Sequence, residues 1–289
     1  MQRIDAHQHF WQLARGDYAW LRADDPDVAP LVRDFLPDAL LPLMRTHEVT
    51  RTVLVQAAES VAETAFLLGL AAAHDFIAGV VGWVALDRDE APSTLERLAA
   101  DGRLKSVRPM LQDLPADDWI VQAPRPDALR TLQRLGLRFD ALVRPRQLPA
   151  LARFARAWPE LPIVIDHAAK PPLSAAWNDE AMQAWRHDMA ALAAAPQVCC
   201  KISGLLTELA PPDRASPARA AERLRPVVGA LLGWFGPGRL MWGSDWPVLT
   251  LAGSYAEWVC VSDDLLVALS ADERAQVLHG SAQRFYGLA

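Results

Sequence analysis

Short apolar runs alternate with longer amphipathic stretches from one end of the chain to the other. The runs fall at residues 3–6, 52–55, 79–84, 105–107, 139–143, 163–166, 198–202 and 240–243. Several are rich in Val and Ile with little polar alternation, the pattern of strands buried on both faces of a parallel sheet. Between them, residues 62–74 and 147–158 place apolar side chains at three- and four-residue steps, the period of a helix with one inward face. Residues 218–235 share that period, and Pro226 is expected to kink or shorten the helix. Another helix opens at Pro92-Ser93-Thr94-Leu95-Glu96, with proline in its first turn, and two more, at 256–269 and 271–286, close the chain. Eight strand–helix units are what a closed (β/α)8 TIM barrel of the α/β class requires. An open doubly wound sheet is the alternative this pattern leaves standing.

The length of 289 residues is one that single barrels reach, and no linker-like stretch divides the chain, so one domain over 1–289 is expected. A hydrophobic fraction of 52% supplies a sizeable core and argues against disorder. The net charge of −6 comes from interspersed signs, and no basic stripe offers to neutralise phosphates, which argues against nucleic acid as a partner. The three cysteines include an adjacent pair and an odd one, so a disulfide framework is not expected. The first residues lack an apolar signal core, and no uncharged run reaches the roughly 18–20 residues of a membrane span. The expectation is a soluble cytoplasmic protein with a small-molecule substrate and no membrane partner, compatible with a homo-oligomer.

Candidate chemistry gathers where the runs end. In Asp5-Ala6-His7-Gln8-His9 the histidines stand two apart, so in a strand both project to one side, towards the barrel mouth. Two imidazoles so placed suit metal ligation or a polar, hydrogen-bonded pocket. His167 ends the sixth run, with Lys170 just beyond, and Asp245 follows the eighth in Trp242-Gly243-Ser244-Asp245-Trp246-Pro247. An Asp there could merely cap a helix. In a closed barrel, however, the eighth strand lies beside the first, and a carboxylate facing neutral imidazoles can position a water and take its proton. Two connections exceed what packing needs: residues 10–37 carry Trp11, Tyr18 and Trp20, and residues 109–124 carry Met110, Gln112 and Trp119.

Other residues have plainer readings. His47, His74, His187 and His279 lie in helical stretches and read as packing. Cys199 and Cys200 sit in the seventh run, one on each face, and nothing indicates a reactive thiol. Lys201 and Ser203 are secondary candidates for substrate contact. Trp11 and Trp246 are open between loop packing and stacking on the apolar face of a sugar ring.

The segments Ile4-Asp5-Ala6-His7-Gln8-His9-Phe10-Trp11, Val164-Ile165-Asp166-His167-Ala168-Ala169-Lys170-Pro171 and Trp242-Gly243-Ser244-Asp245-Trp246-Pro247 together resemble the amidohydrolase superfamily. Within it they resemble the lactonase branch, which hydrolyses sugar and dicarboxylate lactones, with L-fuconolactone and L-rhamnonolactone hydrolases the nearest pattern. The resemblance implies a carboxylic-ester hydrolase that opens a sugar lactone to its hydroxy acid. Asp245 would activate water beside His7, His9 and His167, and Gln56 and Arg108 would contact substrate. Metal-rich relatives carry a Lys or Glu after the fourth strand and a His after the fifth, whereas here Arg108 and Ala141-Leu142-Val143-Arg144 stand there. The resemblance therefore implies at most one divalent cation, zinc, among His7, His9 and Asp245, with His167 nearby; members of the branch work without metal, and whether this chain needs the ion is left open. Two alternatives remain: a metal-dependent decarboxylase of an aromatic or muconate-type acid, with Arg108 and Arg144 as carboxylate anchors, and a non-catalytic barrel that binds a sugar acid. Hydrolysis of a cyclic amide is disfavoured by the missing second-metal ligands.

Overall fold

The structure is a computed structural model describing residues 2–288; the domain expected over 1–289 also includes Met1 and Ala289, which lie outside the described residues. Eight strands are present among those residues: β1 (Arg3–Gln8), β2 (Val49–Val55), β3 (Ile77–Gly82), β4 (Leu104–Val107), β5 (Arg138–Ala141), β6 (Ile163–Ile165), β7 (Val198–Ile202) and β8 (Leu240–Trp242). Each pairs in parallel with the next, in sequence order. The ring then closes. The Asp245 amide donates to the His7 carbonyl and the His9 amide to the Trp246 carbonyl, each at 2.8 Å. The fold is a (β/α)8 barrel, and the open sheet is excluded.

The wall is built from α1 (Pro37–Thr46), α2 (Val61–Ala73), α3 (Ala91–Ala99), α4 (Trp119–Gln122), α5 (Pro126–Arg134), α6 (Leu148–Ala157), α7 (Glu180–Ala193), α8 (Pro217–Phe235) and α9 (Tyr255–Leu265). The short α10 (Ala271–Ala275) and α11 (Ser281–Tyr286) end the chain. Among the described residues no helix is long and apolar enough to cross a membrane. One core cluster fills the space between sheet and helices. A second occupies the barrel interior, where Ile4, Val53, Val81, Val164 and Met241 meet Tyr286 from α11. The chain's last helix thus plugs the end of the barrel opposite the strand carboxyl termini.

Two local expectations are corrected. Helix α8 runs from Pro217 through Pro226 to Phe235, so the proline does not shorten it. Pro226 and Glu222, whose carbonyl loses its helical donor to the proline, are both exposed residues. Meanwhile Leu224, Val227, Val228 and Leu231 hold the inner face by burial. The single closing helix expected over 271–286 is instead split by a π turn at Gln276–Gly280, a one-residue register change that re-aims α11.

Helix α2 shows how the wall fixes the mouth. Ser60 caps it by accepting the Glu63 amide at 2.9 Å, and the Glu63 carboxyl reaches back to the amides of Ala57 and Ala58 at 2.9 and 3.0 Å. Burial raises the Glu63 carboxyl to about 7 against the pull of those two donors. The unfolded chain releases this proton near the ordinary carboxyl pKa and the folded chain only near 7, so the folded state binds more protons in between. This contribution to stability is full below the unfolded value and is lost as pH rises towards 7. The Tm difference between wild type and Glu63→Gln should therefore shrink from about pH 4.5 to 7 and level off above, as followed by thermal melts; a constant difference contradicts the assignment.

Candidate active site

The register between β1 and β2 slips between Asp5 and Gln8. Ile4 and Ala6 pack in the barrel interior, and His7 and His9 beyond them also turn inward. Across the closure, Asp245 presents Oδ1 at 3.7 Å from His7 Nε2, 3.4 Å from His9 Nε2 and 3.7 Å from His167 Nε2. One carboxylate thus faces three imidazoles, and all four residues are 5% exposed or less.

The backbone is bent to achieve this. Asp245 sits at φ +60°, and His167 through Lys170 form a run of four residues with φ between +50° and +57°. Each such residue costs about 1–3 kcal/mol, and strain of this kind persists where the surroundings over-determine it. Two glycines make room. A Cβ on Gly204, at φ +63°, would come within 2.5 Å of His167 Nδ1, and one on Gly243 within 2.8 Å of the His7 Cβ.

The charge states follow from burial. His167 falls to about 4 because desolvation outweighs the pull of Asp245, and His7 lies well below its ordinary value because of burial and the neighbouring Lys201 ammonium. Burial pushes the Asp245 carboxyl up, but His167, His9 and His7 outweigh it and hold it below the ordinary range. At neutral pH the centre holds an ionised carboxylate beside neutral His7 and His167. His9 Nδ1 lies 2.8 Å from the Val55 carbonyl, which can only accept, so Nδ1 carries a proton and Nε2 is the ring nitrogen turned towards Asp245. The donor atoms of His7, His9 and Asp245 all lie within 4.8 Å of one another, a set that fits one divalent cation.

A cavity of about 480 Å³ opens above this centre. His9, Arg108, His167, Lys170 and Asp245 line it, as do Asp17, Trp20, Glu59, Gln112 and Asp113 from the loops. His7 lies beneath, its Nε2 3.4 Å from Arg108 Nη1. Three candidate substrate contacts do not line this cavity. Trp11 is fully buried, donates its indole N–H to the Arg33 carbonyl at 2.8 Å, and packs against Trp20 and Phe35. Trp246 is 3% exposed, between Phe10 and Phe35. Gln56 is fully buried and donates to the Arg108 carbonyl at 2.9 Å, supporting the wall from behind. The tryptophan that does reach the cavity is Trp20, held by its indole N–H on the Ala57 carbonyl at 2.8 Å. Arg144 points elsewhere, 46% exposed and 3.8 Å from Asp113, so one of the two carboxylate anchors a decarboxylase would use is not in the wall.

The family described as Amidohydrolase matches residues 4–288 of this chain. The chain belongs to the amidohydrolase family. An L-fucono-1,5-lactonase of Burkholderia ambifaria is 45% identical over 289 residues, covering 98% of this chain and 95% of the relative. A second L-fucono-1,5-lactonase, of Burkholderia multivorans, is 41% identical, with 99% and 96% covered. A crystal structure of a Burkholderia multivorans amidohydrolase with bound zinc superposes with a TM-score of 0.88 at 39% identity, covering 100% of both chains. Membership and the His7, His9 and Asp245 cluster make this chain a hydrolase.

Beneath the amidohydrolase centre lies a buried ionic layer that sequence reasoning did not assemble. Lys201 does not reach the cavity. Its ammonium is 2.6 Å from Asp140 Oδ2, 2.9 Å from Asp166 Oδ1 and 3.1 Å from His7 Nδ1, with every partner fully buried. Asp140 also accepts from the Tyr286 hydroxyl at 2.7 Å and from Ser106 at 2.5 Å. Asp166 adds His7 at 3.4 Å and Arg108 at 3.6 Å. Ser203, the other secondary candidate, has its hydroxyl 2.9 Å from His167 Nδ1. The available signal was an Asp and a Lys of opposite charge, each in mid-strand within an apolar run, since such ions are buried only when paired. Lys201→Met removes the cation that Asp140 and Asp166 share, leaving Asp140 without a cationic partner, and should cost about 3–5 kcal/mol in urea unfolding, whereas an unchanged midpoint would mean the layer is hydrated.

Proposed function

We propose that this amidohydrolase opens the ring of a sugar lactone, with L-fucono-1,5-lactone the first substrate to test. The observation that carries the reading is the ionised Asp245 facing His7, His9 and His167 within 3.4–3.7 Å at the base of a 480 Å³ cavity. The L-fucono-1,5-lactonases at 45% and 41% identity support the substrate class. The cavity lies within the ~300–1,000 Å³ typical of small-molecule sites, and its mouth carries Asp17, Gln112 and Lys170 to bind ring hydroxyls.

Asp245 accepts a proton from a water held between it and the imidazoles, and that water attacks the lactone carbonyl carbon. The Arg108 guanidinium, beside His7 and reaching the cavity, donates to the oxyanion that develops. As the tetrahedral adduct collapses, the bond from acyl carbon to ring oxygen breaks. Protonated Asp245 returns its proton to that oxygen, leaving a hydroxyl on the sugar chain and a carboxylic acid that ionises. His7, His9 and Asp245 would hold a divalent cation, zinc by comparison with the zinc-bound relative, which when present supplies Lewis-acid polarisation and a more acidic water.

Asp245→Asn keeps the shape and removes the base. Its kcat on L-fucono-1,5-lactone, read by a pH indicator, should fall about 10³-fold with an unchanged near-ultraviolet circular dichroism spectrum. Turnover near the wild-type rate would remove Asp245 from the mechanism. Isothermal titration with zinc chloride should show one site in the wild type. Its affinity should weaken at least about tenfold in His9→Ala, and equal affinity in the two proteins would place the cation elsewhere.

A further inference from the structure

A second hollow opens beside the first at the same end of the barrel. It holds about 260 Å³, and Trp83, Leu86, Pro109 and Trp119 wall it, while Glu59 and Met110 line both spaces. Met110 is fixed at this boundary by the Gln56 side-chain amide, 3.1 Å from its Sδ. Trp83 directly follows β3 and Trp119 opens α4, so the compartment is made by the loops that leave β2, β3 and β4.

The compartment is built on fixed backbone. The Trp83 amide donates to Thr64 Oγ1 at 2.8 Å, the Thr64 hydroxyl lies 3.1 Å from the Trp83 carbonyl, and the Arg125 amide donates to the Leu86 carbonyl at 2.8 Å. Both indoles are half-buried. Among the described residues neither indole N–H has a hydrogen-bond partner, as is also true of Trp158, Trp177, Trp234 and Trp246, whereas Trp11, Trp20, Trp185, Trp242 and Trp258 use theirs. A partly open indole face with a spare donor suits a sugar ring, whose C–H face stacks while its hydroxyls hydrogen-bond. Glu59, Asp87 and Arg88 at the edge add further partners for hydroxyls.

We propose that this compartment is a subsite for a second sugar ring. The lactone ring lies over Asp245, the chain crosses Met110 and Glu59, and the outer ring stacks against Trp83 and Trp119. The preferred substrate is then a glycosylated aldonolactone. The proposal rests on the lactonase reading and assigns a part of the molecule that reading does not use.

The test begins with whichever aldono-1,5-lactone of a panel including L-fucono-1,5-lactone is hydrolysed fastest, compared with its 2-O-, 3-O- and 4-O-glucosyl derivatives. At least one derivative should match or exceed its parent in kcat/KM. Trp83→Ala and Trp119→Ala should each lower that value roughly tenfold, the scale of one lost aromatic stacking contact, and leave the parent lactone within about twofold. Trp119→Phe, which keeps a ring, should retain most of the preference and so separates stacking from collapse of the loop. The subsite is overturned if the parent is hydrolysed while every derivative is at least about a hundredfold poorer, or if the alanine variants change parent and derivative alike. Absence of turnover on the whole panel would instead remove the lactonase reading, and the subsite with it.

Discussion

The site depends on the seam where the sheet closes. Two amide-to-carbonyl bonds of 2.8 Å, Asp245 to His7 and His9 to Trp246, join the segment after β8 to the end of β1 and set the distance between residues far apart in sequence. Because the bonds run through the backbone of the functional residues themselves, closing the barrel and assembling the centre are one event. The cost is local. Asp245 and the run from His167 to Lys170 adopt left-handed backbone, and Gly204 and Gly243 must stay bare for His167 and His7 to fit. These departures cluster where side chains must converge.

The seam would bring little without the charge layer beneath it. Burial favours the neutral forms of His7 and His167, and a buried carboxylate left alone would take up a proton. Asp245 remains ionised because His167, His9 and His7 surround it. Below, Lys201 satisfies Asp140 and Asp166 together, and Tyr286 from the last helix completes the arrangement. His7 belongs to both layers, with Nε2 facing Asp245 and Nδ1 facing Lys201 and Asp166. The packed bottom of the barrel thereby reaches the reactive end through side chains in direct contact.

Much of this was legible in the chain. All eight apolar runs became strands, because buried parallel strands need continuous Val and Ile and leave a clear trace. His7, His9, His167 and Asp245 could be placed together because each stands at a strand end, and the barrel's topology then dictates the meeting. Loop side chains were less accessible. Trp11 and Trp246 sit next to site residues in sequence yet turn away to pack with Phe35, while Trp20, farther along the same loop, reaches the cavity. Sequence proximity fixes where a loop residue starts and says little about where its ring ends. Pro226 was read by its local cost, but the apolar face of α8 outweighs one missing hydrogen bond at an exposed position. Lys201 was read as a contact for substrate because only the fold brings Asp140 from a different strand beside it.

The central claim is that Asp245 serves as a base towards water and forms no bond to the substrate. A single turnover in ¹⁸O-labelled water, with enzyme in excess over L-fucono-1,5-lactone, separates these chemistries. Attack by water on the acyl carbon puts one labelled oxygen in the product carboxylate and leaves the peptide containing Asp245 unlabelled. Label in that peptide with an unlabelled product carboxylate would show a covalent acyl-aspartyl route and contradict the account.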